Sequence, residues 1–273
     1  MSEKITIIKP KGRFQFIDWQ EIWEYRELFW TFVVRDIKVR YKQTLIGGLW
    51  AILQPFTTMV VFSFFFGTIM NVASDGVPYP IFSYSGLILW MYFTSAISAA
   101  SSSLIGSTNL ITKVYFPRII IPLASTMTGL VDYLISALLL VVLLIYFKIV
   151  PSVFIFTIPL LAITTWFLAS GIGLWLSAIN VKYRDVRYAV PFFIQLMLFF
   201  TPVIYPVSIA PRFKSLLYLN PMTGFIEAHR SLILGLNNFN WTALTIALLT
   251  STLIFVSGAF YFKSVEKYFT DII

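Results

Sequence analysis

The chain has 273 residues, of which 58% are hydrophobic, 18% aromatic and only 12% charged, with a formal net charge of +8. A soluble domain carries about 25% charged residues, so these figures exclude an ordinary soluble enzyme and indicate a membrane protein. In so apolar a chain the placement of positive charge matters more than its sum, and no nucleic-acid partner follows from it.

The longest polar segment comes first, over residues 1–44. At 100° per residue Trp19, Ile22, Trp23, Phe29, Trp30, Val33 and Ile37 fall on one face of a helix, while Glu21, Glu24, Glu27, Thr31, Arg35 and Lys38 cover the other. Such a helix lies in the membrane interface or packs on protein, and both hold if one edge meets lipid and the other protein. Arg26 falls within the apolar face and must snorkel or find an acidic partner. Arg35, Lys38, Arg40 and Lys42 stand directly before the first apolar run. Attraction to anionic lipid, roughly 1 kcal/mol per basic residue near the surface, accounts for them without a substrate.

Six apolar spans follow, at about Leu45–Met70, Ile81–Gly106, Ile119–Phe147, Val153–Ile179, Ala189–Tyr205 and Ala243–Phe262. Roughly 20 apolar residues cross a bilayer as a helix. Backbone groups in lipid need partners within the segment, and the alternation of a barrel strand is absent, so the expected fold is an all-α polytopic membrane protein. Its parts are a cytoplasmic segment 1–44 with an amphipathic helix, a six-helix domain 45–262 and a cytoplasmic tail 263–273. Sixteen of the 20 lysines and arginines fall in the N-terminal segment, alternate loops and tail, against four in the remaining loops. The positive-inside rule therefore places both termini in the cytoplasm. The first long apolar run begins too late for a cleavable signal peptide.

Gly47, Gly48, Gln54 and Pro55 interrupt the first span early, which suits a helix facing a partner or a pathway. Pro202 and Pro206 kink the outer end of the fifth span and free carbonyls that need other partners. The long connection Pro206–Asn238 reads helical and apolar in pieces, as an outer re-entrant or interfacial hairpin.

Chemistry-bearing residues are few. There is no cysteine, His229 is the only histidine, and no Gly-x-x-x-x-Gly-Lys-Ser/Thr loop is present, so no catalytic residue, metal site or resident cofactor is assigned. Asp132 is the one acid deep in a span, in a stripe with Ser125, Thr128, Gly129 and Ser136. It is a functional candidate by position, and equally a group that bonds across a helix interface or pairs with a lysine or arginine. Glu227, His229 and Arg230 cluster in the outer hairpin, where an interfacial ion pair is a commoner arrangement than a hydrolytic site. Phe62, Phe64, Phe65 and Phe66 crowd the first span, and Phe192, Phe193, Phe199, Phe200 and Tyr205 the fifth. Such aromatics face lipid and neighbouring helices, or offer stacking surfaces to the C–H faces of sugar rings.

Several motifs carry a resemblance. Arg35-Asp36-Ile37-Lys38-Val39-Arg40-Tyr41 with Leu45 to Pro55, then Tyr115-Phe116-Pro117-Arg118, Asn180 to Val186, Thr201 to Pro206 and Asn220-Pro221-Met222 occur in order over about residues 30–235. This pattern resembles type-2 ABC exporter permeases, most nearly the Wzm- and TagG-like branch that moves lipid-linked polysaccharides and teichoic acids. The resemblance implies a homodimer in a bacterial cytoplasmic (inner) membrane. It also implies two separate ATP-binding subunits holding ATP and Mg, and a lipid-linked polysaccharide substrate. It further implies a channel lined by the first and fifth spans, with Phe62, Phe65, Phe66, Phe199, Phe200 and Tyr205 as candidate lining. Arg35, Lys38, Arg40 and Lys42 would meet a lipid phosphate at the inner mouth. Ser107–Arg118, with Lys113, Tyr115, Phe116, Pro117 and Arg118, would couple to the ATPase. The alternatives are a permease of the same type for drugs or small molecules, and a glycan-modifying membrane enzyme, for which the acids are too few.

Overall fold

The computed structural model describes residues 19–42, 44–236 and 239–269. Residues 1–18 of the expected N-terminal segment and 270–273 of the tail lie outside them, as does the side chain of Trp19. The described residues are helical and contain no strand.

Two short-range helices come first, α1 (Trp19–Glu24) and α2 (Arg26–Lys42). One edge of this segment packs on protein. Phe32 and Val33 are buried with Ile22, Phe29 and Ile37 packed beside them, whereas Trp23 and Trp30 are exposed along the other edge. Arg26 stays exposed and rests its guanidinium over the Trp23 ring, 5.7 Å from the centroid, and donates to Trp23 O at 3.4 Å.

Gly47, at φ +57°, turns the chain into α3 (Trp50–Phe62), since a left-handed backbone favours a residue without a Cβ. From Ser63 to Ile69 the coil widens, with i→i+5 bonds such as Met70 N–H to Phe65 O at 2.9 Å. This stretch carries the phenylalanine run. Together Gly47–Ile69 is the least buried of five helical stretches long and apolar enough to cross a membrane.

The centre of the bundle is α4 (Tyr79–Gly106), at 28 residues about 42 Å long and so longer than a hydrocarbon core of about 30 Å. After the short α5 (Thr108–Lys113), the third span is built from α6 (Ile120–Thr126) and α7 (Thr128–Tyr146), broken at Met127. The fourth contains α8 (Ile158–Lys182). Helix α9 (Val186–Phe200) occupies the expected fifth span but stops at Phe200, so its 15 residues reach only about 22 Å. Thr201 ends it with an extended backbone ahead of the Pro202–Pro206 corner. The outer hairpin comprises α10 (Lys214–Leu219) and α11 (Pro221–Leu234), and α12 (Trp241–Val265) is the last span.

Helix α8 packs most extensively between α4 and α12. In lipid the hydrophobic effect does not drive helix association, so close backbone approach and polar contacts must do so. A Cβ added at Gly171 would meet the Phe255 backbone at 2.6 Å, which shows how near α8 and α12 lie. Helix α11 is almost wholly buried against α12 and α4, so this arm of the hairpin is part of the core, while α10 stays largely exposed.

Candidate functional site

Helix α2 is bolted to the third span by polar contacts. The Asp36 carboxylate accepts from Ser125 Oγ at 3.1 Å and pairs with Arg35 at 2.8 Å. One turn on, Arg40 pairs with Asp132 at 2.5 Å and donates to Ser95 Oγ at 3.2 Å, while the Tyr41 hydroxyl donates to Asp132 in a short bond. Burial and then the Asp132 carboxylate push the Tyr41 phenol above its ordinary range. Asp132 is therefore not isolated: it joins α2 to the bundle, and its partner comes from the Arg35–Lys42 cluster.

This cluster closes one wall of a cavity of about 470 Å³ between α2, α3, α4, α7 and α9. Gln54, Ser95, Ser98 and Gln195 add polar lining, and Pro55 and Pro191 bring α3 and α9 into it. Ser136 Oγ donates to Ala51 O at 2.6 Å, tying α7 to α3 at the same level. Of the four basic candidates, Arg40 faces this cavity, Arg35 lies over the Phe32 ring, and Lys38 and Lys42 are exposed. Gln54 and Gln195 lie far apart in the chain, and only the tertiary packing brings them to one wall.

The aromatic candidates divide. Phe62 and Phe66 stack edge to face at 5.6 Å and pack on the bundle core, whereas Phe65, Phe199 and Phe200 are exposed. Tyr205 is half-buried, its hydroxyl donating to Phe199 O at 2.9 Å. None of the six lines the cavity closed by Arg40 and Asp132. Helices α3 and α9 thus each present an apolar face, with Leu53, Phe56 and Val60 on one and Phe192, Leu196 and Phe199 on the other.

The corner after α9 frees carbonyls, as its prolines require, and α11 supplies their partners. Arg230, buried, donates to Pro202 O at 2.6 Å, to Phe82 O at 3.2 Å and to Val203 O, with its guanidinium 3.8 Å from the Phe82 ring centroid. Tyr79 donates to Ile204 O at 2.7 Å, and Asn220 Nδ2 to Thr201 Oγ1 at 2.8 Å. The expected ion pair among Glu227, His229 and Arg230 does not form among the described residues: Glu227 and Arg230 line the same small cavity, but the guanidinium is taken up by the carbonyls of Phe82, Pro202 and Val203. His229 Nε2 bonds the Tyr133 hydroxyl at 2.8 Å, and burial lowers its pKa to about 3. Burial likewise raises the Glu227 carboxyl.

In the connection after α4, Lys113 and Tyr115 are exposed and Tyr115 reaches Glu21 Oε1 at 3.2 Å. Phe116 and Pro117 are buried, with Phe116 packed edge to face on Phe32 at 5.7 Å. Arg118 turns inward, its guanidinium donating to Glu266 O at 2.6 Å and its backbone N–H to Glu266 Oε1 at 3.0 Å. Lys263 completes this junction through Glu266 at 2.7 Å. The five residues thus split between an outward pair and an inward three that join the loop to the end of α12.

Comparison with known proteins places these features. The O-antigen export system permease protein RfbA of Klebsiella pneumoniae is 29% identical over 241 residues, which cover 88% of this chain and 92% of that protein. A protein of the same description from Myxococcus xanthus is 29% identical over 217 residues, 78% of this chain and 82% of its own length. The polysialic acid transport protein KpsM of Escherichia coli is 24% identical over 245 residues, covering 87% and 93%. The ABC-2 type transporter family profile matches residues 27–234, a stretch that runs from the start of α2 through the end of α11 and takes in the Arg40–Asp132 cluster and the Arg230 corner, and the chain belongs to that family.

Proposed function

We propose that this chain is the permease subunit of an ATP-driven exporter that moves lipid-linked polysaccharide across a bacterial cytoplasmic membrane. The observation that carries the reading is the pair of apolar faces on α3 and α9, set on either side of a polar cavity closed by Arg40 and Asp132. Lipid can cover the apolar faces, but not the polar wall between them, which needs protein or water against it. Two copies joined through them would enclose a pathway that is aromatic along its length and basic at one mouth. In this reading both termini lie in the cytoplasm, and a separate ATPase, binding ATP and Mg, docks on the exposed Lys113–Tyr115 edge. Family membership and the export activities named for its relatives favour this substrate class over drugs.

The test is deletion and complementation in the native host, scored by surface polysaccharide. Loss of surface polymer with intracellular accumulation of the lipid-linked form is expected, together with restoration by the wild-type gene. Unchanged surface polymer, or partner ATPase activity stimulated by small amphiphiles and not by the polymer, would overturn the polysaccharide reading.

A further inference from the structure

The polar cavity closed by Arg40 and Asp132 carries groups that its ion pair does not use. Gln54 of α3 and Gln195 of α9 line it, and neither side-chain amide bonds another described residue. Both stand among apolar neighbours in their helices. An amide without a partner is costly in hydrocarbon, so these two require hydrogen-bonding contents in the space between them. Ser98 Oγ and Trp50 Nε1 are without a partner among the described residues too, and the Trp50 side chain is half-exposed.

Charge in this wall, by contrast, is matched. Among the described residues of the lining, Arg40 is the one base and Asp132 the one acid, and they pair at 2.5 Å. Arg40 gives a further bond to Ser95 Oγ, and Tyr41 donates to the same carboxylate. Lys38 and Lys42 stand outside the lining. A carboxylate or phosphodiester drawn along this wall would lose water, gain no unmatched cation and meet the charge of Asp132. The basic residues at the mouth follow from topology and do not call for a polyanion.

We propose that this cavity is a subsite for uncharged sugar units, and that the polymer carried by this chain is electrically neutral along its repeat. Amides and hydroxyls offer donor and acceptor together, and each hydroxyl of a sugar is likewise both. The Trp50 ring adds an apolar surface for the C–H face of a pyranose. At about 470 Å³ the cavity falls within the roughly 300–1,000 Å³ usual for small-ligand sites. This inference rests on the proposed export function and narrows its substrate class from polysaccharides at large to those without a charge in every repeat. Amides also join helices to one another. Because Gln54 and Gln195 lie on the two helices through which copies would meet, association of the copies is measured in the test.

The test begins in the native host. The polymer that leaves the surface on deletion of the gene, and returns with the wild-type copy, is purified and analysed for acidic sugars and phosphate. A repeat free of both is expected. A carboxylate or phosphodiester in every repeat would overturn the neutral assignment and leave the export reading intact, whereas a surface with no polymer dependent on the gene would overturn both. The subsite is scored in the same strain. Gln54→Leu/Gln195→Leu should cut surface polymer at least fivefold, with association of the copies unchanged and a melting temperature within a few degrees of wild type. Trp50→Leu should lower export in the same way, and Trp50→Phe should keep most of it. Unchanged export in both the Leu pair and Trp50→Leu would overturn the subsite. Loss of association in the Leu pair would assign the amides to packing between copies and overturn it as well.

Discussion

Arg40 of α2 sets its guanidinium 2.5 Å from the Asp132 carboxylate near the start of α7, across 92 residues of chain. The pair joins an interfacial helix to a transmembrane one, and Tyr41 bonds the same carboxylate from the neighbouring position. Both side chains keep partial exposure, so the energy of the pair is discounted for solvent. A double-mutant cycle with Arg40→Gln and Asp132→Asn should give a coupling of about 0.5–1 kcal/mol in detergent unfolding. Export should fall further than stability does, since α2 loses its register against the cavity. Additive effects in both readouts would show that the two residues act independently.

Arg230 replaces missing backbone partners at the corner after α9. Arg230→Met should destabilise the protein by about 3–5 kcal/mol, the scale for removing one partner from a buried polar network. Arg230→Lys should recover little of this, because a compact ammonium lacks the planar fork whose separate nitrogens reach the three carbonyls. A melting temperature near wild type for Arg230→Met would refute the anchoring role.

His229 is held neutral by burial, with its pKa lowered from the usual 6.5 to about 3. Between those values the unfolded chain binds a proton that the folded chain refuses, so stability is undiminished above about pH 6.5 and declines as pH falls toward 3. The slope contributed is at most about 1.4 kcal/mol per pH unit. Unfolding followed from pH 7 to pH 5 should show this decline, and His229→Gln should flatten it. An equally steep decline in His229→Gln would assign the dependence to other groups.

Tyr115 and Arg118 separate two roles within one loop. Arg118→Glu breaks the junction with Glu266 and sets two acids together, so it should lower the melting temperature of the isolated chain. Tyr115→Ala removes an exposed ring and one bond to Glu21. It should leave stability within about 0.5 kcal/mol and weaken co-purification of the ATP-binding partner several-fold. Unimpaired co-purification would remove Tyr115 from the coupling surface.

The membrane class, the order of the apolar segments and a helix ahead of them were legible in the amino-acid sequence alone. Hydropathy over 20 residues and a 3.6-residue period are local properties, and lipid allows few alternatives to helix. The prolines at 202 and 206 likewise foretold carbonyls in need of partners. Only the tertiary structure decided which partners those were, because Arg230 lies 28 residues downstream and was read there as one member of an ionic cluster. The same limit applies to Asp132, whose neighbour Arg40 comes from another helix, and to Gln54 and Gln195, whose cavity is built by α2, α3, α4, α7 and α9 together. A helix periodicity states which residues share a face. What that face meets depends on long-range packing, and so only the tertiary structure separates inward Phe62 and Phe66 from outward Phe65.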